Sequence, residues 1–271
     1  MTPKSSHPEC YARELGDCRG PVSREHVVTD TLLKEVWQGA KGGEVYGLPR
    51  ICATPEDPVQ IGIKALTAKI LCKGHNSDLS QFDAEIMKFF KAMERLVRSE
   101  HDGEPAAQNS YVNGDFIERW MLKTLYNGLF SGNFGVPFIE DFTNQLPPEN
   151  GLRTIYRDEP FPPGWGLYMS GDQSRIDHHV LQVLAVGHPT GIVGLRMWLF
   201  GSLFTLVLTD EHDVFPELAT ATYRPKKIVT AKTRNGIVFS WAGEFTDETL
   251  ELRMSETPFK DGSPRAAGEK P

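Results

Sequence analysis

The chain has 271 residues, enough for one large domain or two small ones with a real core. Hydrophobic residues make up 39% and charged residues 24%, which places it among globular rather than disordered chains. Residues 1–100 carry 14 basic and 14 acidic side chains, residues 101–271 carry 15 and 22, so the net charge of −7 arises wholly in the second part. That balance excludes a strongly basic coat for duplex nucleic acid, though not an enzyme that touches a few phosphates. No apolar run has the length of a membrane span, because the longest, 191–208, is broken by Gly194, Arg196, Gly201 and Ser202. The first residues hold no apolar stretch resembling a secretory signal, so the expected compartment is cytoplasmic, with no membrane partner.

Residues 1–20 read as a loop with a tight turn at Gly16-Asp17, and 21–28 as a short extended segment favoured by Val27-Val28. Thr29 or Asp30 can cap a short helix through Val36-Trp37. The Gly- and Pro-rich stretch 38–60 reads as irregular, and 61–72 fits either a strand or a short helix. Ser77 or Asp78 can cap a helix in which Leu79, Phe82, Ile86, Phe89, Met93, Leu96 and Val97 recur at helical spacing. A polar segment, 101–110, is the expected linker. A second helix follows from Asp115 to Leu129, with Gly128 and Gly132 at its end. The remainder reads as β: 165–169, 180–186, 192–208, 227–231 and 237–241, with Asn235-Gly236 as a hairpin turn joining the last two. A tail, 255–271, is expected to be disordered.

All four cysteines, Cys10, Cys18, Cys52 and Cys72, lie in the first 72 residues. In a reducing compartment such a cluster points to metal rather than to disulfides. Cys10, Cys18 and the pair Cys72-x-x-His75 could close a tetrahedral Cys3His zinc site, since soft thiolates and neutral imidazole both suit Zn²⁺. Cys10 and Cys18 stand further apart than the usual two to four residues, and Cys52 and His7 are rival ligands. Near this set stand Glu25-His26 and Asn76. Asn76, Ser80 and Asp83 form one polar stripe at i, i+4 and i+7. Asn76 could equally be a helix N-cap, and Asp83 a first-turn carboxylate favoured by the helix dipole. Lys64, Lys69 and Lys73 could meet phosphates or be solvated.

The order Cys-x7-Cys, Ser-x-Glu-His-Val-Val, Leu-Cys-x-x-His-Asn-x-x-Leu-Ser-x-x-Asp resembles the zinc-containing branch of the HNH endonucleases, over residues 10–98. The resemblance implies a ββα-metal unit with a structural zinc on Cys10, Cys18, Cys72 and His75. It implies His26 as general base, Glu25 and Asn76 as ligands of a catalytic Mg²⁺ or Mn²⁺, and Asp83 as a further ligand or as the group that fixes the His26 tautomer. Hydrolysis of a phosphodiester needs a water deprotonated near neutral pH and a hard cation on the phosphate, and these residue types can supply both. Adjacent strand residues point to opposite faces, so Glu25 and His26 can share a site only if the strand bends or ends there. Where relatives carry Pro after the Glu-His dipeptide, this chain has Thr29-Asp30.

The expected fold is α+β: a zinc-stapled, treble-clef-like ββα-metal domain over 1–102, then a helix plus antiparallel β-sheet domain over 111–254. The expected function is metal-dependent hydrolysis of DNA, in the phage-defence or mobile-element setting common to such families. The alternative is a non-catalytic zinc module that binds nucleic acid or a protein partner. The second half could serve recognition, homo-oligomerisation or a protein interface. Its acidic and histidine runs, Asp177-His178-His179 and Asp210-Glu211-His212-Asp213, read mainly as polar loops.

Overall fold

The computed structural model of the chain describes residues 7–45, 48, 51–52, 59–102, 108–134, 149–171, 181–189 and 191–253. A 3-10 turn, Arg13–Leu15, leads to β1 (Val22–His26) and α1 (Asp30–Val36). A hairpin, β2 (Gly42–Val45) and β3 (Val59–Gly62), and a 3-10 turn at Ile63–Leu66 precede β4 (Thr67–Cys72). Then come α2 (Lys73–Asp78), α3 (Ser80–Asp102), β5 (Ser110–Asn113), α4 (Gly114–Phe130) and α5 (Glu149–Arg157). The rest is β: β6 (Gly166–Ser170), β7 (Leu181–His188), β8 (Gly191–Leu199), β9 (Ser202–Val207), β10 (Ala221–Tyr223), β11 (Pro225–Thr230), β12 (Thr233–Ser240) and β13 (Thr246–Leu252).

The α+β expectation holds, and β1 pairs antiparallel with β4 directly before the helices. Within the stretch expected to be irregular, 38–60, the described residues include β2 and the start of β3, which pair antiparallel. Glycines there permit close packing rather than marking a loop, for a Cβ on Gly43 would stand 2.3 Å from the Trp37 indole. The helix expected after a cap at Ser77 or Asp78 is α3, which starts at Ser80, and a short helix, α2, precedes it, capped at Cys72, whose sulfur accepts the His75 N–H. The helical run breaks at Leu79. There the hydroxyls of Ser77 and Ser80 bond to the carbonyls of Lys73 and Ser77, offering the backbone an alternative to a continuous helix. Asn76 therefore lies inside α2 and is not an N-cap. Thr29 does stand at the N-cap of α1, but its hydroxyl makes no capping bond.

Two sheets complete the fold. The order β10-β6-β9-β8-β7 is antiparallel throughout. The order β13-β11-β12-β5 is mixed, with β11–β13 and β12–β5 parallel, which corrects the all-antiparallel expectation. The 192–208 stretch is two strands, turned by Phe200 and Gly201, both at positive φ. Val186, Val193, Val207 and Phe215 form a small separate cluster, and most other buried side chains from Cys10 to Leu252 form one contiguous core. The apolar face of α3 crosses its middle: Phe89 packs edge-on to Phe204 of one sheet at 5.4 Å and lies 5.9 Å from Phe239 of the other. Residues on both sides of the expected linker share this core. The expected tail and the Asp177-His178-His179 run lie outside the described residues.

The expected turn at Asn235-Gly236 is not a turn. β11 reverses after Thr230, which pairs with Thr233, and Asn235-Gly236 sits within β12. A Cβ at Gly236 would lie 1.9 Å from the Ile228 carbonyl oxygen. Gly236→Ala should therefore cost about 1–3 kcal/mol, the scale of forced backbone shifts. A denaturant midpoint equal to wild type would contradict the close strand approach.

Candidate metal centre and the polar network beside it

Two backbone loops build a knuckle. The turn over 13–16 closes with Gly16 at φ 75°, returning Asp17 and Cys18 toward Cys10. The second loop follows β4, where Lys73 N–H donates to Pro21 O and Gly74 N–H to Arg19 O, each at 2.8 Å. Tyr11 N–H donates to Ile70 O at 3.0 Å, tying the first loop to β4. These contacts bring Cys10, Cys18, Cys72 and His75 together, all buried, with their ligand atoms within 4.8 Å of one another. His75 Nδ1 lies 3.3 Å from Cys72 Sγ, 3.4 Å from Cys10 Sγ and 3.9 Å from Cys18 Sγ. Tetrahedral zinc, with Zn–S about 2.3 Å and Zn–N about 2.0 Å, requires S···N separations near 3.5 Å. The four side chains expected from the sequence thus fit a metal such as zinc.

The donor chemistry agrees. Burial pushes the Cys10 thiol up to about 12. At Cys72 burial acts the same way, but the His75 and Arg19 N–H groups, donating to its sulfur at 3.5 and 3.4 Å, win and lower its pKa. Packed buried thiols favour a bound cation that lets them ionise. The other ring nitrogen, His75 Nε2, lies 2.8 Å from Asp17 Oδ1, and Arg157 of α5 donates to Asp17 Oδ2 at 2.6 Å. A carboxylate on the far imidazole nitrogen is the usual support of a metal-bound histidine, leaving Nδ1 free for the metal. Burial raises the Asp17 carboxyl, yet the bonds from Arg157 and His75 outweigh it and hold it below its ordinary value. In the sequence Asp17 stands out only as a turn residue beside Gly16. The rivals fall away: Cys52 Sγ donates to Val45 O at 3.6 Å, and neither it nor His7 joins the group.

The residues expected to hold a second cation are placed differently. Asn76 donates its amide to Ser23 Oγ at 2.9 Å and Arg24 O at 3.1 Å, bracing β1 against α2. Glu25 is buried, and Asp83 stands in the first turn of α3. Between them lies Lys123 of α4, fully buried, with Nζ 3.0 Å from Glu25 Oε1 and 2.6 Å from Asp83 Oδ1. Asn127 adds an amide to Glu25 at 3.2 Å and to His26 O at 3.0 Å, and accepts from Tyr11 at 3.0 Å. Asp83 Oδ1 also accepts from Thr29 at 2.5 Å, and Thr29 accepts from Trp120 Nε1 at 2.7 Å. Burial works against the Lys123 ammonium, but the two carboxylates outweigh it and raise its pKa. An ammonium therefore supplies the positive charge beside Glu25 and Asp83, where the resemblance implies a divalent ion. No sequence pattern singled out Lys123, which lies on the apolar helix 115–129.

His26 is the last residue of β1 and half-buried. Burial pushes its imidazole below the usual value. Lys123 and Lys34 push the same way, Asp30 and Asp83 the other. In the second half, Asp210 accepts from Trp165 Nε1 at 2.8 Å and Glu211 lies 3.3 Å from His188, so that run serves local structure. No protein-family model, curated protein or solved structure matches this chain.

Two outcomes follow from this geometry. Purified without chelator, the chain should carry one zinc per molecule by elemental analysis. Asp17→Asn should weaken that binding by roughly 10–100-fold in chelator competition, the scale for losing a ligand's support, while Cys52→Ser leaves it unchanged. Separately, Lys123→Met should cost about 3–5 kcal/mol in urea unfolding, because it strands buried carboxylate charge. The Glu25→Gln, Lys123→Met double variant should lose less than the sum of the singles.

Proposed function

We propose that the chain is a zinc-stapled endonuclease of HNH type that hydrolyses phosphodiester bonds of DNA, with His26 as general base. The observation that carries this reading is the placement of His26. It ends β1 of an antiparallel pair that runs straight from β4 into the knuckle and helices α2 and α3. Burial keeps its imidazole neutral at pH 7, the form that accepts a proton from water. Zinc on Cys10, Cys18, Cys72 and His75 has a structural role here, because four protein ligands leave no open position. Any Mg²⁺ or Mn²⁺ requirement remains part of the proposal. An ion on Glu25 would have to share its carboxylate with Lys123.

That ammonium favours a second reading, a zinc module that binds nucleic acid without cutting it. Plasmid cleavage separates the two. Under the nuclease reading His26→Ala keeps zinc and fold and loses cleavage by ~10²-fold or more. Wild-type cleavage should hold as pH falls past the ordinary histidine value of about 6.5 and decline only below it, since the folded pKa is depressed. No Mg²⁺- or Mn²⁺-dependent cleavage of DNA by wild type would leave the binding module as the function.

A further inference from the structure

The outer face of the β1–β4 pair carries an unbalanced charge. Strand alternation sends Glu25 inward and leaves Arg24 exposed and His26 half-buried on the other side. Across the ladder, Arg24 stands opposite Lys69 and His26 opposite Thr67, just past a bulge where the register shifts between Ser23 and Arg24. Arg24 and Lys69 are both exposed, and among the described residues neither has an ion-pair partner. Four acids of the adjoining elements are paired elsewhere. Asp78 is paired to Arg19 at 2.6 Å, Asp30 to Lys34 at 2.6 Å, and Glu25 and Asp83 to Lys123 on the opposite face. Like charges directly across a ladder lie about 5 Å apart at Cβ and destabilise the pair. The chain has a surplus of acid, −7 overall, yet among the described residues no carboxylate is paired with either cation.

We propose that Arg24 and Lys69 form a phosphate clamp for a nucleic-acid backbone, lying beside His26 on one sheet face. The occupant is duplex DNA: two exposed cations at paired positions of the ladder complement backbone phosphates, and an imidazole follows two residues along the same strand. Backbone contacts of this type position a strand without reading sequence. The inference rests on the nucleic-acid part of the proposed function and not on cleavage.

The test is fluorescence anisotropy of a short labelled duplex, without divalent ions, over a salt series. Each phosphate neutralised contributes roughly 0.9 to the slope of log affinity against log salt. Arg24→Gln with Lys69→Gln should therefore weaken binding at low salt and flatten the slope by roughly 1.8, for any duplex sequence. Its melting temperature should be equal to or above wild type, since a repulsion is removed. The charge-conserving swap, Arg24→Lys with Lys69→Arg, should keep the wild-type slope; if the double neutral variant folds poorly, the single variants Arg24→Gln and Lys69→Gln decide the matter, each flattening the slope by roughly 0.9. A neutral variant with wild-type affinity and slope would overturn the clamp, as would a wild type that binds no DNA. Binding lost in the neutral variant, with no cleavage by wild type, would keep the clamp and remove the nuclease reading.

Discussion

One buried ammonium organises the front half of this protein. Lys123 has no exposed surface, and its charge is tolerable only because Glu25 and Asp83 reach it at 3.0 and 2.6 Å. Those carboxylates come from β1 and α3, while Lys123 comes from α4, so three elements distant in sequence must meet within hydrogen-bond reach. Hydroxyl and indole groups extend the requirement. Thr29, at the entrance to α1, forgoes capping its own helix to join Asp83 to Trp120. Removing any one partner strands another in a low-dielectric interior, which is why such networks specify a single arrangement when every member is satisfied.

The metal knuckle and this network are mechanically joined. Tyr11, one residue from Cys10, bonds to Asn127, which in turn holds Glu25 and the His26 carbonyl. On the other side Asp17 links His75 to Arg157 of α5. A metal held by Cys10, Cys18, Cys72 and His75 therefore fixes the end of β4, the start of α2 and, through Tyr11, the strand that carries His26. Zinc would act at a distance on the candidate base without touching it.

What the sequence made legible follows from how local each signal is. The Cys-x-x-His pair and the early cysteines were readable because ligand chemistry restricts residue type. The long helices were readable because Phe82, Ile86, Phe89 and Met93 repeat on one face. Asn235-Gly236 misled because a dipeptide favoured in turns is also a way to let one strand pass close to another, and only the partner at Ile228 distinguishes the two. Parallel pairing of β5 with β12 joins residues 110–113 to 237–240, a separation that no local pattern encodes. Lys123 was invisible for a related reason. A lysine within an apolar helical stretch ordinarily snorkels to solvent, and only tertiary contact reveals that two carboxylates meet it inside.

The same strand then serves two purposes by alternation. Glu25 and His26 are neighbours in the motif, but the pleat turns one into the core and leaves the other toward solvent. The inward residue is committed to Lys123 and contributes to stability. The outward row, Arg24 opposite Lys69 and His26 opposite Thr67, has no ion-pair partner among the described residues. Because β1 ends at His26, the imidazole still senses the fields of Lys123 and Asp83 from beneath. Those two fields oppose each other, so burial decides the direction and favours the neutral imidazole.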